Sequence, residues 1–189
     1  MGLKVGTVRV EKYNSNWENE FLKEKEILSK IFGDLAIEIE HIGSTAVKGL
    51  SAKPIIDIAV GVNKLVDFEK VKNEFEKEPY LIKENSDEGE ILIRKGSEDN
   101  RTHYIHVMEI NSKRYKNAIV FRDYLRKHED VAREYENLKI KLAIKYADNR
   151  KMYTSSKNEF IEKIREKAYK GLKDNKWVSR NHNITTIQL

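Results

Sequence analysis

Hydrophobic and polar positions change period several times along this chain, and each change marks an element. Residues 7–13 alternate and predict a short first strand. From Trp17 onward Phe21, Leu22, Ile27, Leu28, Ile31 and Phe32 recur at helical spacing; Asn14 and Ser15 are placed to cap the start and Gly33 to end the run. Ile37, Ile39 and His41 then alternate with Glu38 and Glu40 as a half-buried strand. Residues 43–50 predict a turn with a short helix. The near-continuous apolar run 55–62 predicts a central strand covered on both faces.

Residues 65–75 place Leu65, Phe68, Val71 and Phe75 on one side of a further helix. Three β segments follow at 80–83, 90–94 and 102–110, the last two joined by a hairpin-like loop at 96–100. The rest reads as helical. One helix begins near Asn111-Ser112, and a second carries Val131, Tyr135, Leu138 and Leu142 on one stripe. A third opens at Ser156 with Glu159 at capping-box spacing and runs to Gly171. A mixed sheet first and helices after argue for an α+β class rather than a doubly wound parallel sheet. The expected organisation is one domain over 1–174 and a tail over 175–189.

Composition narrows the function. With 39% hydrophobic residues the chain can build a core, and with 35% charged residues it can cover one. No apolar run reaches the roughly 18 residues of a membrane span. The first residues lack the apolar stretch of a secretory signal, so a cytoplasmic address is expected. Zero cysteines remove disulfides, iron–sulfur clusters and thiol nucleophiles. The net charge of +5 is compatible with an anionic ligand. No dense basic block or RNP-like motif supports nucleic acid as a partner, and no Gly-x-Ser-x-Gly elbow supports a serine hydrolase.

The chemistry concentrates in 40–58. Gly43-Ser44-Thr45 follows a strand, where small residues let backbone amides approach an anion, and Asp57 sits inside the next apolar strand. Alternation puts Asp57, Ala59 and Gly61 on one face of that strand. A carboxylate there needs either a function or a cation, and Lys53 lies close in sequence. His103 and His106 fall on opposite faces of their strand, so only one of them can approach Asp57. Arg101, Arg122 and Arg126 are the guanidinium candidates for forking onto phosphate oxygens.

His41 through Val47, Gly49-Leu50 and Lys53 through Ile58 resemble the signature of the GrpB family. His103 through Val107 and Phe121 through Arg126 are similar to its later motifs, and Tyr13 through Trp17, Tyr153-Thr154 and Lys157 also fit. The resemblance spans roughly residues 6 to 170; it departs at Lys48, where the family usually has proline. It implies a nucleotidyltransferase-like fold, a mixed sheet flanked by helices with further helices at the C-terminal end. Members occur alone or joined to dephospho-CoA kinase.

Nucleotidyltransferases hold Mg²⁺ on two acids spaced Asp-x-Asp after a glycine-serine turn. Here Asp57 matches the first acid, while Ala59 stands at the second. The expected catalytic and metal residue is therefore Asp57, with Glu40 as the substitute metal carboxylate for Mg²⁺ or Mn²⁺. The expected phosphate contacts are His41, Gly43, Ser44, Thr45, Lys53, Arg101, His106 and Arg122. Two functions fit: metal-dependent nucleotidyl transfer, or a non-catalytic module that binds a nucleotide, CoA or another small phosphate-bearing ligand. No feature indicates an oligomeric state.

Overall fold

The computed structural model describes residues 1–83, 89–97 and 99–173. Its sheet has five strands: β1 (Ala36–Ile42), β2 (Ile56–Val62), β3 (Tyr80–Ile82), β4 (Ile91–Gly96) and β5 (Arg101–Glu109). They lie in the order β1-β2-β5-β4-β3, with β2 and β5 parallel and every other neighbouring pair antiparallel. Helix α1 (Asn16–Phe32) precedes the sheet. Helices α2 (Lys113–Lys127), α3 (Glu129–Lys145), α4 (Arg150–Ser155) and α5 (Asn158–Lys173) follow it. The mixed α+β class expected from the sequence holds. No helix among the described residues is long and apolar enough to cross a membrane.

Register divides the sheet into two faces with different tasks. Ile56, Ile58, Val60 and Val62 share one face with Ile39, Ile93, Ile105 and Val107, and bury against Trp17, Phe21, Leu28 and Phe32 of α1. Each such side chain contributes about 1.5–3 kcal/mol by leaving water. The other face carries Asp57, Ala59 and Gly61 beside Tyr104, His106 and Met108. There α2 covers Ala59 and Met108 with Tyr115 and Ile119. Asp57 and His106 thus meet across adjacent strands, while His103 looks the other way.

Several elements differ from the sequence reading. Residues 7–13 run alongside the body and make one isolated bridge, Glu11 to Ala52, instead of a strand. Residues 65–75 form two 3₁₀ turns, Leu65–Lys70 and Lys72–Phe75, because Val71 leaves helical dihedrals (φ −122°, ψ 0°). Phe68 and Phe75 are still buried together, so the apolar pattern marked the burial correctly and the helix type wrongly. On α1, Leu22 and Ile27 are exposed, and Glu24 takes the buried place between Phe21 and Leu28. Its carboxylate accepts from Tyr80 Oη at 2.8 Å and from Lys95 Nζ, the pairing that a buried charge requires. Ser156 ends α4 with αR dihedrals and so cannot cap the following helix. The expected tail at 175–189 lies outside the described residues.

Candidate functional site

The loop between β1 and β2 builds the floor of a cleft. Gly43 has φ +70°, and a Cβ at that position would lie 2.6 Å from Asp57 Oδ2, so only glycine lets the turn close over the carboxylate. Ser44–Ala46 then make a single 3₁₀ turn. His41 Nε2 and Thr45 Oγ1 are 3.0 Å apart beneath this turn, and Arg126 Nε donates to Ala46 O at 3.0 Å. Further along, Ser51 N donates to Glu136 Oε1 at 2.7 Å while Lys139 Nζ donates to Ser51 O. Helices α2 and α3 therefore grip the loop through its backbone.

Above that floor lies a cavity of about 230 Å³. Gly43, Ser44 and Thr45 line one end; Asp57, Tyr104 and His106 form the sheet wall; Lys53, Tyr135, Lys139, Arg150, Tyr153 and Lys157 close the other sides. The lining holds four lysine or arginine side chains against one carboxylate. Lys53 Nζ and Lys157 Nζ lie 5.3 Å and 4.4 Å from the centre of the Tyr153 ring. Arg150 and Arg101 both donate to Tyr104 Oη, the latter at 2.6 Å. Aromatic faces hold these cations without neutralising them.

The charge balance shifts several groups. Burial lowers Lys53 and Lys139 to about 7 and Lys157 to about 8, with neighbouring cations adding to the effect on Lys53. Burial acts against charge on Asp57 too, but His106, Lys53 and Lys157 outweigh it and hold the carboxyl below its usual range. His106 stands between two carboxylates. Its Nδ1 lies 2.7 Å from Glu90 Oε1, its Nε2 lies 3.6 Å from Asp57 Oδ1, and Glu90 Oε2 accepts from Arg114 at 2.6 Å. Burial opposes its charge, yet the two carboxylates raise His106 to about 9. The two carboxylates therefore favour the imidazolium at neutral pH, and a metal would bind this ring only by displacing its proton.

The structure brings together Gly43, Ser44, Thr45, Lys53, Asp57 and His106 from the expected set. It places the others elsewhere. His41 stacks on Phe21 at 4.7 Å beneath the turn, and burial depresses its ring to about 4. Arg101 stands behind Tyr104 and does not line the cavity. Arg122 is committed: Nη1 donates to Glu40 Oε2 at 2.6 Å and to His41 O at 3.0 Å, and Nε donates to Asp123 Oδ1 at 2.8 Å. Glu40 accordingly faces a guanidinium.

Sequence reasoning assigned no site role to Arg150, Tyr153 or Lys157. Arg150 and Tyr153 stand at i and i+3 on α4, and Lys157 follows in the turn after that helix. Asn149 starts that helix, its Oδ1 accepting from Met152 N at 3.1 Å. Asn149→Ala is expected to lower stability by about 1 kcal/mol. Urea denaturation checks this, and an unchanged midpoint would show that the cap contributes nothing.

A fold and cleft of this kind can be compared with known proteins. The profile of the family described as GrpB protein matches residues 7–167. This chain belongs to the GrpB family. The glutamate-rich protein GrpB of Alkalihalophilus pseudofirmus is 40% identical over 169 residues, covering 87% of this chain and 97% of that protein. UPF0157 protein YqkA of Bacillus subtilis is 36% identical, covering 85% of this chain but 47% of its own length. The crystal structure of conserved protein GrpB from Enterococcus faecalis superposes with a TM-score of 0.80 at 34% identity, over 87% of this chain and 99% of that one.

Proposed function

We propose that the cleft binds the phosphate-bearing head of a small, nucleotide-like ligand, and that it does so without a resident metal. The observation that carries this reading is the pair Lys53 and Lys157, seated on Tyr153 with no ion-pair partner among the described residues. These two amines, backed by Arg150, supply a positive potential when protonated that the Asp57 carboxylate alone does not cancel, while the charge on His106 is met by Glu90. The turn at Gly43-Ser44 adds small residues on which anionic oxygens can close. Size sets a limit: ligand pockets usually span roughly 300 to 1,000 Å³. A cavity of about 230 Å³ therefore suits a phosphate or diphosphate group, with the rest of the ligand at the mouth.

The expected Mg²⁺ or Mn²⁺ fits the donor set poorly. Of the expected carboxylate pair only Asp57 lines the cavity, since Glu40 is turned to Arg122. Among the described residues no group of three or more metal-ligating side chains converges. On this reading the protein is a nucleotidyltransferase-like scaffold used for binding in the cytoplasm, and Asp57 orients His106 and the lysines.

Calorimetry with pyrophosphate, ATP and CoA, each with and without Mg²⁺, tests the proposal. Binding is expected without metal, and Lys157→Met is expected to weaken it about 10- to 100-fold, the value of one charge-assisted hydrogen bond. Binding that requires Mg²⁺ and vanishes in Asp57→Asn would instead favour nucleotidyl transfer. No binding of any of the three would overturn the reading.

A further inference from the structure

Burial gives the cavity a bottom and a mouth. Thr45, Ala52, Ile55, Tyr135, Lys139 and Tyr153 line it as buried residues. Lys53, Asp57, His106, Arg150 and Lys157 line it while staying partly exposed, so they stand nearer the entrance. Among these deep residues only Lys139 is ionic. It is 2% exposed, and lysine is almost never buried so far without a counter-charge. Its Nζ donates to Ser51 O and lies 4.9 Å from the centre of the Tyr135 ring. Glu136 on the same helix favours the ammonium from a distance, but that carboxylate accepts from Ser51 N at 2.7 Å. An ammonium has three N–H donors; one carbonyl and one ring face leave a donor for the cavity that this side chain lines. Burial pushes the amine down to about 7, and an anionic oxygen beside it would hold the proton in place.

We propose that Lys139 receives the terminal, unesterified phosphoryl group of the ligand, which enters first and lies at the bottom of the cavity with the esterified part outward. The inference rests on the binding proposal above and narrows its ligand class to phosphomonoesters and the ends of polyphosphate chains. A space of about 230 Å³ floored by buried Tyr135 and Tyr153 leaves no exit for a second ester substituent at the inner end. An internal diphosphate bridge, esterified on both sides, is therefore held at the mouth. Arg150 and Lys157 stand there, and Lys139 does not.

Calorimetry of the full chain with AMP and with NADH, without metal, is the test. Both ligands carry adenosine and a comparable charge near neutral pH, but only AMP has a terminal phosphoryl group. AMP is expected to bind about tenfold or more tighter, the worth of one charge-assisted hydrogen bond. Lys139→Met should erase that preference. Glu136→Gln unties the same loop from outside the cavity lining and should keep it. Urea denaturation shows that both variants are folded. Equal affinity of the unaltered protein for AMP and NADH overturns the inference, whether or not Lys139→Met folds; if pyrophosphate still binds, the phosphate reading stands. A preference that survives in folded Lys139→Met, or that Glu136→Gln erases as well, overturns it by removing Lys139 from the contact. Binding of neither AMP nor pyrophosphate overturns both readings.

Discussion

Arg122→Met is expected to destabilise the protein by about 3 to 5 kcal/mol while leaving the affinity of the folded protein for pyrophosphate unchanged. The guanidinium side chain is 2% exposed and holds Glu40, Asp123 and the His41 carbonyl at once. Methionine matches its stem but takes away the positive charge between two carboxylates. Removing one partner of a buried ion pair costs far more than the pair contributes as a whole, because the remaining charge stays desolvated. Glu40 keeps 22% of its side-chain surface, which places the loss toward the lower end of the range. Urea denaturation gives the stability, and Glu40→Gln combined with Arg122→Met should recover part of it. Weakened pyrophosphate binding at unchanged stability would return Arg122 to the ligand site.

Raising the pH from 7 to 9 is expected to cut pyrophosphate affinity by at least about tenfold, with proton uptake on binding near neutrality. Burial sets Lys53 and Lys139 at about 7 and Lys157 at about 8. In the unfolded chain these amines hold their protons to about 10.5. Between about 7 and 10.5 the unfolded state therefore binds more protons, and the stability of the free protein rises with pH across that window. An anion needs the ammonium form, so its affinity moves the opposite way, by about tenfold per pH unit for each linked lysine. Pyrophosphate itself gains charge over this range, which alone would strengthen binding. Calorimetry in buffers of different ionisation heat reads both effects. A flat or rising affinity would remove the lysines from the binding site.

Elements with strong period and clear ends were legible in the chain. The alternation that put Asp57 opposite Ile56 and Ile58, and His106 opposite His103, is the register of β2 and β5. Ser112 caps α2 as its position implied, accepting from Tyr115 N at 3.2 Å. What stayed hidden depended on distant partners. Glu24 reads as a surface residue until Lys95 and Tyr80 arrive from β4 and β3. Arg122 and Glu40, 82 residues apart, read as separate ligands until the fold closes them on each other. The helix carrying Arg150 and Tyr153 has six residues, too short for periodicity to reveal.

The β1–β2 loop is tied at Thr45, Ala46 and on both sides of Ser51 by side chains from β1, α2 and α3. Its shape is thus settled when the chain folds, before any guest arrives. On the binding proposal, a ligand entering such a mould has no loop to order, and its capture would be governed by diffusion and the long-range field of the basic wall. If the cleft is the anion site proposed above, discrimination among anions resides in how long each one stays.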